Sequence, residues 1–106
     1  MMSRIKSKGD PAILKKNRDA IVDEMRDDYG YLFCLKCSKS SGFRNLHVHH
    51  LVFRSEAPYH PNVHDKKNLY ICCDKCHDEF HKNKYVREPI LEERGLRELF
   101  SDLTIL

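Results

Sequence analysis

The chain has 106 residues, 41% hydrophobic and 33% charged, enough for one modest domain. No run is long and apolar enough to span a bilayer, and the polar, basic start at 1–9 lacks the apolar stretch of a signal peptide. An intracellular, cytoplasmic protein with no membrane partner is therefore expected.

Five cysteines and seven histidines all lie between Cys34 and His81. A chain this short buries little apolar surface unaided, and small domains commonly add metal or disulfides. The odd cysteine number and the interleaved histidines favour metal. Charge is unevenly placed behind the net +3: residues 1–18 carry +5, 19–30 carry −4, 31–60 carry +3, 61–88 carry +1 and 89–106 carry −2. A basic arm and centre suit a phosphate backbone, but a solvated surface accounts for them equally well.

In chain order, 1–9 reads as a flexible basic arm. Asp10 before Pro11 is a helix start, and Ile13, Leu14, Ile21, Val22, Met25 and Tyr29 recur at helical spacing up to Gly30, which predicts an N-terminal helix over 10–30. Residues 31–37 form a short element before the small polar turn 38–42. Residues 46–53 alternate as a strand, with Leu46, Val48, His50 and Val52 on one face and His47, His49, Leu51 and Phe53 on the other. Pro58 and Pro61 make 54–68 a loop, and 69–72 is a brief apolar strand. Asp74 is placed to cap a helix to about Asn83, and Pro89 to begin a C-terminal helix over 89–106 with Leu96, Leu99, Phe100 and Leu103 on its apolar face. That stripe reads as packing on its own domain, a homodimer interface being its other use. The fold class expected is α+β, a hairpin and helix with helices on either side.

Two clusters carry chemistry. Cys34 and Cys37, with Cys73 and Cys76, form two Cys-x-x-Cys units, each able to present two thiolates, and together they complete a tetrahedron around a structural zinc ion. Cys72, in the apolar run 69–72, is expected in the core. His77 and His81 are four apart on the predicted helix and share a face, whereas His49 and His50 are adjacent on a strand and point to opposite sides. If one of that pair joins His77 and His81 around a metal, the other is left free for proton transfer. Three protein ligands with open positions describe a catalytic site. His47, His60 and His64 have no comparable partner and read as ordinary surface or core histidines.

The stretches Leu46-His-Val-His-His-Leu-Val52, Lys67-Asn-Leu-Tyr-Ile-Cys-Cys73 and Asp74-Lys-Cys-His-Asp-Glu-Phe-His81 resemble the HNH endonucleases. More narrowly, they resemble the zinc-stabilised branch in which four cysteines brace a ββα-metal (His-Me finger) core. The likeness covers about 34–83 and leaves out the flanking helices. It implies that His50 is the general base and that His49 holds a metal where many relatives have Asp. It makes Asn68 the middle letter, orienting the base through hydrogen bonds, and His77 the last letter and a metal ligand. His81 matches a third ligand found in colicin nuclease domains, a branch without the cysteine knuckles.

The function implied is metal-dependent hydrolysis of phosphodiester bonds in DNA, most naturally double-stranded, leaving a 5′-phosphate and a 3′-OH. Small stand-alone members are often phage-encoded, in packaging, homing or restriction roles. Three imidazoles suit Zn2+, Ni2+, Co2+ or Mn2+, and Mg2+ can enter where phosphate and water complete its shell. Arg44, Arg54, Lys66 and Lys67 are candidate phosphate contacts. A non-catalytic zinc module that binds nucleic acid is the competing reading; it explains the cysteines but not the histidines. A structural protein–protein adaptor is a third.

Overall fold

The computed structural model describes residues 10–40, 42 and 45–103. The basic arm at 1–9, Arg44 and the last three residues lie outside the described residues. Asp10 sits in extended conformation and accepts the Ala12 N–H on its side chain at 2.9 Å, with Pro11 in the first turn of helix α1, Pro11–Tyr29. Gly30 closes the helix in the left-handed region at φ 82°, its N–H bonded to the Arg26 carbonyl at 2.8 Å. Of the predicted apolar positions, Met25 is buried, Leu14, Ile21 and Val22 are half-buried, and Ile13 and Tyr29 face outward. Charged residues fill most of the rest of α1, so it lies on the domain by a narrow stripe.

Strand β1, Leu46–His50, pairs antiparallel with β2, Leu69–Cys73, in a register from Leu46 opposite Cys73 to His50 opposite Leu69. The strand expected to reach Phe53 stops at His50 because the chain there turns onto Asn68, whose backbone and side chain take the next two N–H groups. β2 is buried along its whole length and leads straight into helix α2, Asp74–Lys82. Asp74 does not cap α2 as expected. Cys73 holds the N-cap without a side-chain bond, while Asp74 sits in the first turn with its carboxylate 3.2 Å from His47 Nε2.

The single C-terminal helix expected over 89–106 is broken. A 3-10 turn, Lys84–Arg87, leads into α3, Glu88–Glu93, and then α4, Leu96–Leu99. Gly95, at φ 68°, ends the first and turns the chain into the second. The break lets Leu91 and Leu96 both reach full burial, with Phe100 beside them and Leu99 and Leu103 packed against the same core. The apolar stripe is thus spent on the chain's own domain. The result is a small α+β domain: a two-stranded antiparallel sheet with α2 directly after it, α1 along β2, and the short C-terminal helices closing the core. Among the described residues, no helix is long and apolar enough to cross a membrane.

Candidate metal centre and histidine cleft

The first cysteine pair sits in a tight knuckle. Cys34 N–H bonds to the Lys39 carbonyl and Ser38 N–H to the Cys34 carbonyl, both at 2.8 Å, with Ser38 left-handed at φ 69°. The Cys37 N–H points at Cys34 Sγ, 3.4 Å away. The Leu35 N–H bonds to the Ile71 carbonyl, which fastens the knuckle to β2, whose end carries Cys73; Cys76 follows in the first turn of α2. The ligand atoms of Cys34, Cys37, Cys73 and Cys76 all lie within 4.8 Å of one another, with Cys37 and Cys73 Sγ 3.7 Å apart. A tetrahedron of zinc–thiolate bonds has edges of about 3.8 Å, whereas a disulfide would bring its sulfurs to about 2.05 Å. Spacing and donor set therefore fit a structural zinc ion, held by the four cysteines the sequence singled out.

The thiols differ in acidity. Burial opposes ionisation of Cys34, but N–H groups of Cys37, Cys73 and Lys36 outweigh it and bring this thiol down to about 7. Cys76 is pushed up by burial and by its thiol neighbours. Cys72 is fully buried on the opposite side of β2 from Cys73 and is pushed up to about 12, first by burial and then by nearby Cys34. As expected, it is a core residue outside the cluster.

The histidines gather elsewhere. A cleft of about 370 Å³ is lined by Leu14 and Arg18 of α1, by Val48, His49 and His50 of β1, by Phe53, Arg54 and Ser55 of the following loop, and by His77 and His81 of α2. His77 and His81, one helical turn apart, bring their Nε2 atoms to 3.0 Å. That distance serves a hydrogen bond between the two rings, and it also falls in the range, about 2.9–3.3 Å, that separates two imidazole nitrogens on one metal. His49 stacks on His77, ring centres 3.5 Å apart and planes 9° from parallel. Its Nε2 is buried and, among the described residues, has no hydrogen-bond partner. Stacked rings aim their lone pairs along parallel planes, so His49 reaches an ion shared with His77 only by turning its ring. Phe53 stacks on His81 at 4.2 Å and fixes that side of the cleft.

His50 faces away from this trio, as neighbours on a strand must. Its Nε2 lies 2.9 Å from His64 Nδ1. Burial brings His50 down to about 4, helped by electrostatic opposition from neighbouring His64 and Arg54 to a charge on its ring; burial brings His49 to about 4, with His77 second. His77 is lowered by burial and then by His81. All three imidazoles are therefore neutral near pH 7, with a lone pair available to a metal or a proton.

The Asn68 side chain gives its hydrogen bonds to backbone groups and not to His50. It is fully buried and locks the loop after β1: Oδ1 accepts the Val52 N–H at 2.7 Å, and Nδ2 donates to the carbonyls of Val52 at 3.1 Å and Val63 at 2.9 Å. By holding Val63 it carries His64 to His50. The loop has a second lock in Arg87, also fully buried, which donates to the Leu51 carbonyl and to both Glu56 carboxylate oxygens and covers the Phe53 ring at 4.1 Å.

Three residues escaped the sequence reading. His64 is buried, the core reading open to it, and only the folded loop reveals its neighbour His50. Arg87 carried no motif. Arg18 carries no motif either, yet its place one turn after Leu14 on α1 puts it at the cleft. Of the basic candidates, Arg54 lines the cleft, whereas Lys66 and Lys67 line a separate groove with Glu24, to which Lys66 is paired. His60 is held by Asp102 at 2.7 Å and by the Asn62 N–H at 3.0 Å, and tilts against Phe100; it ties the loop to the C-terminal helices. No family model, no curated protein and no solved structure matches this chain.

Proposed function

We propose that this chain is a metal-dependent DNA endonuclease of the HNH type, built on a ββα-metal core that the four-cysteine zinc site braces. The observation that carries the reading is the cleft itself. His49, with its orphaned buried Nε2, joins the closely spaced His77 and His81 on one side, and His50 lines the same cavity from the other. A packed core has no use for four imidazoles around an open cleft; hydrolysis of a phosphodiester does.

His49, His77 and His81 would hold one divalent cation, Zn2+, Ni2+, Co2+ or Mn2+ by donor type, or Mg2+ with oxygen ligands from substrate and water. Bound there, it supplies neutralisation of charge on the phosphoryl and departing oxygens. His50 takes a proton from the attacking water on the ring nitrogen that His64 leaves open, help worth about a hundredfold to ten-thousandfold. The P–O3′ bond breaks as the water oxygen bonds to phosphorus; the departing O3′ takes a proton from solvent water and His50 returns its own to solvent, giving a 5′-phosphate and a 3′-OH. Asn68 and Arg87 keep the loop in place, and Arg18 and Arg54 flank the cleft as partners for backbone phosphates. The four reduced thiols suit the cytoplasm.

His50→Ala is the test. Supercoiled plasmid cleavage should be lost while the zinc content and DNA binding of the chain persist. Cleavage that survives the substitution rejects the proposed base, and binding without cleavage by the unaltered chain would assign it to the non-catalytic zinc modules.

A further inference from the structure

We propose that His64 is a positioning residue for His50. It accepts the Nε2–H of His50 on its own Nδ1 and so holds His50 in the tautomer whose Nδ1 carries the lone pair. The inference rests on the reading of His50 as general base.

The two nitrogens stand 2.9 Å apart, within hydrogen-bond range, so one nitrogen carries the proton and the other accepts it. If His64 were the donor, His50 would hold its own proton on Nδ1 and present no basic nitrogen to a water. If His50 is the donor, both rings are in the Nε2–H form, which neutral histidine favours in water, and Nδ1 of His50 is basic.

His64 is built to stay where it is. It is 3% exposed. Its carbonyl accepts from Asn17 Nδ2 of α1 at 2.8 Å, and the preceding carbonyl, Val63, accepts from Asn68 Nδ2 at 2.9 Å. The helix and the buried asparagine thus hold the segment from two sides. A ring held this way fixes both the orientation of its partner and the proton between them, the service that groups behind a metal-bound histidine perform elsewhere. Asn68 therefore reaches His50 through His64 and not by a side-chain hydrogen bond of its own.

Ring-nitrogen NMR of the full-length, zinc-loaded chain labelled with 15N-histidine tests this, with His50→Gln identifying the His50 signals. The wild-type spectrum should show His50 protonated at Nε2 and bare at Nδ1. His64→Asn, whose Oδ1 stands near the former Nδ1, should keep that state, whereas His64→Ala should give a mixture of tautomers. Cleavage should follow the spectra: kcat falls about 10- to 100-fold in His64→Ala with KM for DNA unchanged, and recovers in His64→Asn. A wild-type His50 protonated at Nδ1, or a tautomer that His64→Ala leaves unaltered, overturns the proposal. The expected spectra from a chain that cleaves nothing with any divalent metal would confirm the tautomer control and sink the endonuclease reading alone.

Discussion

Arg87 shows how much of this domain is decided by single side chains that a sequence does not advertise. Its guanidinium is fully buried and survives there because Glu56, the Leu51 and Lys84 carbonyls and the Phe53 ring surround it. Removing one partner of such a pair strands the other, so Arg87→Met should cost about 3–5 kcal/mol in urea unfolding. Replacing both, as Arg87→Met with Glu56→Leu, should cost less than the single change. The pair also sets an acid limit. Burial raises Glu56, but hydrogen bonds from Arg87 and the Phe53 N–H outweigh it and hold the carboxyl below its ordinary 4.5. A carboxyl lowered in the fold stabilises it fully above 4.5 and ceases to do so as pH falls through the lower folded value. The stability gap between the unaltered chain and Glu56→Gln should therefore hold at neutral pH and close below 4.5. The sequence shows that 87 is basic but not how deep it lies. Asn68, by contrast, stood out through its place in a motif, and His64 had no such context.

At the scale of elements, local chemistry left clear marks. Asp10-Pro11 and Gly30 bound α1 where they were expected to, and the paired Cys-x-x-Cys units meet. Where elements were misread, tertiary demands won. β1 yields three residues to the Asn68 lock, and the C-terminal helix breaks at Gly95 so that both halves reach the core. Gly95→Ala should cost about 1 kcal/mol in thermal unfolding, because alanine is strained at a positive φ even though its Cβ would meet only the Glu98 carboxylate, at an ordinary 3.8 Å. The cysteine knuckles join β2 to the segment after α1, and four thiols drawn together without an ion would leave that junction unsupported. Stripping zinc with a chelator should therefore unfold the domain, as structural zinc binding supplies about 10–16 kcal/mol in small modules. Cys37→Ser should lose the metal by elemental analysis, while Cys72→Ala keeps it.

For the whole molecule, net charge says little and placement says more. Arg18 from α1 and Arg54 from the loop flank the histidine cleft, whereas Lys66 is engaged by Glu24 in another groove. DNA binding should weaken with salt, and Arg18→Ala and Arg54→Ala should each reduce the slope of log affinity against log salt by about 1, with Lys66→Ala changing it little. The cleft unites elements far apart in the chain, which explains why Arg54 was legible beside its motif and Arg18 was not. The central claim is that these histidines cut DNA with a divalent metal. Its most direct test is supercoiled plasmid cleavage by the zinc-braced chain, cleared of loosely bound metal and then supplied with Mg2+, Mn2+, Co2+, Ni2+ or Zn2+. Nicked and then linear DNA with 5′-phosphate ends, appearing only when metal is added, is the predicted result; intact plasmid under every metal would contradict it.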